Sequence, residues 1–200
     1  MNKLDQIREL MKLENLDYYW VEDKDPHFNE YVPDHWLRRS WVSGFTGSNG
    51  VLLIGREHSS LWTDGRYFVQ AKKQLSESNL GIKMEKWIAP NNTPVNYLID
   101  LAKNNNKKFK LGYSSRSLSI DFINKLQKEL LANNCELVSV SDNLVDKIWD
   151  KKIWDKTSPR ACFPSDKIFI YDDSFAGESC EVKLNKIFSY MKDNNLNYHE

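Results

Sequence analysis

The chain has 200 residues with 28 Lys plus Arg against 28 Asp plus Glu, 40% apolar and 12% aromatic residues, and a pI near 6.9. This balance supplies no broad basic field for phosphate backbones or anionic lipid, so neither nucleic acid nor a membrane surface is an expected partner. No run of about 18 apolar residues is present to span a bilayer.

Charge recurs every two or three positions in the opening segment MNKLDQIRELMKLENLDYYW, which lacks the apolar centre of a secretory signal and implies a cytoplasmic chain. Leu4, Ile7, Met11 and the neighbouring Leu10 form one stripe with Asp5, Arg8, Glu9 and Lys12 opposite, a helix that should lie on a sheet. Asn15 and Asp17 end it, and Tyr18 to Val21 read as a short strand. Residues 22–41 form a long polar and aromatic connection in which Pro26 and Pro33 exclude regular structure over most of the span. A connection of that length is often functional. The glycine-rich GFTGSNG at 44–50 leads into VLLIG, a turn at REHSS, and LWT, which read as a hairpin of two strands.

From Asp64 the spacing of Phe68, Ala71 and Leu75 indicates a helix, followed by a strand over about residues 83–88. Thr93 as cap and Pro94 at the first helical position introduce a helix through TPVNYLIDLAKN. A short strand at 109–112, a helix capped by Ser117 or Ser119, the strand ELVSV and a helix in DNLVDKIWD complete the series. The alternation predicts an α/β fold, a mixed β-sheet flanked by helices, with the hairpin supplying the antiparallel part.

Residues 151–166 combine charge with Pro159 and Pro164 and carry no period, so a linker is expected between a first domain at 1–150 and a second segment at 167–200. A strand restarts at KIFIY, and KLNKIFSYMKDNNLNY at 183–198 then matches KLDQIRELMKLENLDY at 3–18 in eight of sixteen positions without a gap. Two Lys/Leu/Asn-rich helices can coincide by composition, but duplication explains the register as well. The expected organisation is one domain plus the first strand and helix of a second, homologous and truncated one.

The glycine cluster satisfies GxxGxxG, yet a strand follows it and no Gly-Lys-Ser/Thr is present, so a phosphate cradle is not expected. It reads instead as a loop shaped by positive-φ residues that lets backbone or a neighbouring domain approach closely. His27 and His35 read as loop residues and His58 as a turn residue, with no ligand spacing for a metal. Cys135, Cys162 and Cys180 lack CxxC spacing and fit reduced thiols. In Trp62-Thr63-Asp64-Gly65-Arg66-Tyr67, a cation falls in the expected first helical turn, where the helix dipole disfavours it. Such conflicts mark sites, and Arg66 beside Asp64 suits a carbonyl or carboxylate of a peptide-like ligand. The alternative is that Arg66 only pairs with Asp64 or with acids of the 22–35 loop. Arg38 and Arg39, between Trp36 and Trp41, read as part of a half-buried aromatic loop and are expected to pair with Asp34 or Glu30.

Together, Glu30-Tyr31-Val32-Pro33, Arg38-Arg39 with Trp41-Val42-Ser43-Gly44-Phe45-Thr46-Gly47-Ser48, Leu61-Trp62-Thr63-Asp64-Gly65-Arg66-Tyr67-Phe68-Val69-Gln70-Ala71, and Asn143-Leu144-Val145-Asp146-Lys147-Ile148-Trp149 resemble the amino-terminal part of aminopeptidase P, the Xaa-Pro aminopeptidases of the creatinase/prolidase group. The resemblance implies a three-domain protein whose first two domains share a ribonuclease H-like fold. Its third domain would hold two divalent metal ions, manganese being expected, and cleave the bond before a penultimate proline. It places none of the metal ligands in this chain, and of the residues present it makes only Arg66 a substrate-binding one. The first domain would then cap the substrate cleft and be inactive alone. Implied partners are peptides with proline second, the protein's own middle and catalytic domains, and a second copy in a homodimer of the whole protein. Competing readings are a non-catalytic peptide- or protein-binding domain of this fold, a prolidase-type dipeptidase, and a nuclease, for which Asp64, Asp100 and Asp146 are not suitably placed.

Overall fold

Residues Val51 to Ile54 alternate between two faces, as a strand's period of two requires: Val51 and Leu53 join one apolar cluster, Leu52 and Ile54 the other. They belong to a six-stranded sheet in the computed structural model, which describes residues 1–105, 108–133, 135–151, 154 and 156–198. The strands are β1 (Tyr18–Val21), β2 (Val51–Gly55), β3 (Ser59–Thr63), β4 (Ile82–Lys86), β5 (Lys110–Ser114) and β6 (Glu136–Val140), in spatial order β4-β3-β2-β1-β5-β6. The pairs β1–β2 and β2–β3 are antiparallel, whereas β3–β4, β1–β5 and β5–β6 are parallel. The expected mixed α/β sheet is therefore the fold, with the hairpin at its centre.

Helices α1 (Lys3–Leu13), α2 (Arg38–Ser43), α3 (Phe68–Ser78), α4 (Pro94–Asn105), α5 (Ile120–Leu131) and α6 (Leu144–Trp149) cover the sheet. Leu4, Ile7 and Met11 of α1, Leu75 of α3 and Ile148 of α6 are buried in one cluster, and Leu98, Ile123 and Leu126 of α4 and α5 in the other. The apolar stripe of α1 is thus its buried face, and Asn2 and Asp5 close a capping box at its start. Ser119, not Ser117, caps α5 by accepting from Phe122 N at 3.3 Å. Gly44 ends α2 in the left-handed region at φ 78°.

Two stretches differ from expectation. The 22–41 connection contains a 3-10 turn at Asp34–Trp36 and enters α2 at Arg38. Helix α2, RRSWVS, is too short and too polar to show a period, yet five of its six residues are buried because its arginines are paired. Helix α3 begins at Phe68, four residues after Asp64.

Gly50 is glycine for lack of room. A Cβ there would lie 2.8 Å from both Arg39 Nη1 and the Trp62 carbonyl oxygen, and that carbonyl belongs to a strand paired with β2. Gly50→Ala is expected to destabilise by about 1–3 kcal/mol through overpacking. Gly65→Ala, whose Cβ would meet nothing nearer than 3.9 Å, serves as the control in the same thermal melts. Equal melting temperatures for the two variants would contradict the packing account.

The chain divides into two units, Met1–Pro164 and Ser165–Glu200. In the first, Trp41 stacks on Trp149 with centroids 5.0 Å apart, and both indole N–H groups donate to Ser158 O at 3.2 and 3.0 Å. Residues 158–164 are therefore fastened to the first unit, and the division falls after Pro164. In the second, residues 167–171, expected as a strand, join no ladder among the described residues, and Ile168, Phe169 and Ile170 are exposed; a strand needs a neighbour to satisfy its backbone. Helices α7 (Asp173–Ala176) and α8 (Cys180–Asp193) follow. The end of α8 repeats that of α1: Asn15 and Asn195 have φ of 53° and 52°, and Leu16 N donates to Met11 O at 2.8 Å as Leu196 N does to Met191 O at 2.9 Å.

Candidate functional site

Strand β3 ends at Thr63, and Asp64 turns the chain toward α3. Its carboxylate receives the Arg66 backbone N–H at 3.0 Å and Nε at 2.9 Å on Oδ1, and Nη2 at 2.8 Å on Oδ2. Asn49, in the glycine-rich loop, adds Nδ2 to Oδ2 at 2.7 Å. The Arg66 hydrogen bonds first, and that of Asn49 with them, hold the Asp64 carboxyl well below the usual carboxylate range. Tyr67 N donates to Asp64 O at 3.0 Å and closes the turn, so Arg66 stands before the helix and not in its first turn. The expected conflict between cation and helix dipole does not arise, because an Asx turn takes up the segment where the helix was expected to start.

Arg66 does pair with Asp64, but it spends only the Nε/Nη2 edge in doing so. Its Nη1 has no partner among the described residues, and the side chain is 67% exposed. The Tyr67 ring lies 5.2 Å from Arg66 Cζ, and the Tyr67 hydroxyl is 2.7 Å from Ser48 Oγ. A fixed guanidinium with an outward edge can hold one carbonyl or carboxylate by two donors.

Behind the loop, Arg39 and Asp23 form a buried ion pair with 1% and 7% of their side chains exposed. Asp23 also accepts from Ser40 N at 3.1 Å, while Arg39 Nη2 reaches Gly47 O. Arg38 holds Asp146 through Nε and Nη2, both at 2.8 Å. The expected partners Asp34 and Glu30 are thus replaced by Asp146 and Asp23, because a pairing 108 residues apart is set by packing and leaves no local mark. Trp36 and Trp41 are buried and unavailable for stacking on bases.

Glu22, Lys24, Asn49, Gly50 and Trp87 border a concavity of about 210 Å³ beside the Asp64 turn. Glu22 accepts from Trp20 Nε1 at 2.8 Å, and burial raises its carboxyl above the ordinary value. A larger concavity of about 560 Å³ is bordered by Arg38 of α2 and Asp146 of α6; within it Arg160 holds Asp146 at 3.1 Å and Asp150 at 2.9 Å, and Arg116 and Asp142 also line it. His27 and His58 are exposed, and His35 Nδ1 lies 2.8 Å from Ala161 O. Among the described residues no group of three or more His, Cys, Asp or Glu could hold a metal ion. The pairing of Arg66 with Asp64 was one of the two alternatives read from the sequence, whereas the contact of Asn49 with Asp64 was not foreseen, its only signal being a polar side chain inside a glycine cluster.

Residues 3–148 match the Creatinase/Prolidase N-terminal domain, and the chain belongs to that family. It is 33% identical over 192 residues to Xaa-Pro aminopeptidase 1 of Dictyostelium discoideum, covering 95% of this chain and 30% of that protein. It is 29% identical over 194 residues to Xaa-Pro aminopeptidase 2 of Rattus norvegicus, covering 97% of this chain and 27% of that protein. The X-prolyl aminopeptidase of Caenorhabditis elegans, a cytosolic enzyme with a di-nuclear active site, superposes with a TM-score of 0.77 at 25% identity, over 98% of this chain and 32% of that one. The N-terminal domain of the cytoplasmic peptidase PepQ from Mycobacterium tuberculosis gives a TM-score of 0.53 at 27% identity, over 73% of this chain and 97% of that one. The chain therefore spans less than a third of the length of these aminopeptidases.

Proposed function

We propose that the first unit is the substrate-cleft-capping domain of a Xaa-Pro aminopeptidase, an enzyme that releases the N-terminal residue from peptides with proline second. The observation that carries this reading is likeness to an X-prolyl aminopeptidase in sequence and fold over 98% of the chain. In this reading the two divalent metal ions, manganese, are held by a catalytic domain outside these 200 residues. What this chain contributes is a wall that narrows the cleft and Arg66, whose outward edge takes a carbonyl or carboxylate of the bound peptide. Residues 167–200 open a second, homologous domain, a reading supported by the shared helix end at Asn15 and Asn195. No helix among the described residues is long and apolar enough to cross a membrane, and the relative from Caenorhabditis elegans is cytosolic, which supports a cytoplasmic protein. The whole protein would be a homodimer in which this domain packs with its own middle and catalytic domains.

The test is direct. Residues 1–200, purified and supplied with manganese, are expected to hydrolyse no Xaa-Pro peptide, whereas the whole protein does. Turnover by the 200-residue chain would overturn the division of labour.

A further inference from the structure

We propose that Asn49 is a positioning residue that aims the substrate-contacting guanidinium of Arg66 by locking Asp64; this rests on the reading of Arg66 given above. Arg66 is two-thirds exposed and, on a flexible stem, would sample many directions unless held. Asp64 holds it side-on through two parallel hydrogen bonds at 2.9 and 2.8 Å, which leaves the opposite edge of the fork facing outward. The direction of that edge is therefore the direction of the Asp64 carboxylate. Asn49 Nδ2 fixes that carboxylate in turn, binding at 2.7 Å the same oxygen, Oδ2, that receives Arg66 Nη2.

Asn49 is itself on a rigid mount. Its carbonyl accepts from Thr63 Oγ1 at 2.6 Å, and Thr63 is fully buried at the end of β3. The loop is further tied by Arg39 to Gly47 O and by Ser48 to the Tyr67 hydroxyl at 2.7 Å. Loop closure is thus met by groups other than the Asn49 side chain, whose amide is left to act on Asp64. An amide suits that task. A lysine in its place would compete with Arg66 for the carboxylate, and a carboxylate would repel it, whereas the amide orients Asp64 without changing the neutral charge of the Asp64–Arg66 pair.

The experiment is a double-mutant cycle in the whole enzyme with the tripeptide Ala-Pro-Ala. Asn49→Ala is expected to raise KM about three- to tenfold with kcat within about twofold of wild type, the signature of lost binding geometry. Asn49→Asp, which keeps the shape of the side chain, is expected to lose at least as much. In the Arg66→Ala background, Asn49→Ala should add nothing, because a positioning residue has no effect once the group it positions is gone. Wild-type kinetics for Asn49→Ala alongside an impaired Arg66→Ala would overturn the positioning role and leave the reading of Arg66 intact. Additive losses would overturn it equally, since they would show that Asn49 acts on structure at large. An Arg66→Ala enzyme indistinguishable from wild type would remove the reading of Arg66 itself, and the role of Asn49 with it.

Discussion

Replacing Asp23 by alanine is expected to destabilise the first unit by about 3–5 kcal/mol, the cost of leaving a buried charge without its partner. For a unit of this size that corresponds to a fall in melting temperature of about 10 °C. Arg39 has 1% of its side chain exposed, so water cannot take the place of the lost carboxylate. The same substitution removes the acceptor for Ser40 N and Ser40 Oγ, at the start of α2. Arg39→Met is expected to cost less in desolvation, because Asp23 keeps both Ser40 donors. It still frees the Gly47 carbonyl from its anchor and loosens the glycine-rich loop. Thermal melts followed by circular dichroism distinguish the outcomes. A shift of less than about 2 °C for Asp23→Ala would mean that the pair is not the structural node of the three segments it joins.

The elements readable from the sequence were those with a period or an unbroken apolar run. Helix α1 announces itself through the spacing of Leu4, Ile7 and Met11, and strand β2 through the continuous run Val51 to Ile54, because one face of the helix and both faces of the strand are buried. Helix α2 was not readable, since its six residues include two arginines and two serines, and what makes them buriable lies at Asp23 and Asp146. The same limit applies to the site. Arg66 and Asp64 are two residues apart and visible together, whereas Asn49 meets Asp64 only because β2 and β3 pair with Val51 opposite Trp62, which brings the loop before one strand to the turn after the other. The boundary after Pro164 was shifted for a related reason: Ser158 receives two indole N–H groups and Arg160 reaches Asp146 and Asp150, so a stretch that looks like linker is tied down at its charged and carbonyl groups. A resemblance across four collinear motifs identified the family, but it supplied neither α2 nor the contact of Asn49 with Asp64.

In the whole enzyme, Arg66→Ala is expected to lower kcat/KM for an Xaa-Pro tripeptide about 10- to 150-fold, the range for one hydrogen bond from a charged group to the bound peptide, with metal content unchanged. Stability should move little, because the Arg66 side chain is two-thirds exposed and Asp64 keeps its hydrogen bond from Asn49. Arg66→Lys separates charge from shape. An ammonium can reach Asp64 or the substrate, but it has no second edge with which to hold both in one plane, so lysine is expected to recover only a small part of the loss. Recovery to wild-type kinetics would mean that a positive charge alone is required, and unchanged kinetics for Arg66→Ala would remove the residue from the site. The pH dependence follows from Asp64. Its carboxyl is held below the ordinary range by Arg66, so the pair's contribution is complete above the unfolded carboxylate value of about 3.9 and is lost only as pH falls through the lower folded value. Through the neutral range the guanidinium therefore keeps both its charge and its direction, and any ionisation seen there in kcat/KM has to come from groups other than this pair.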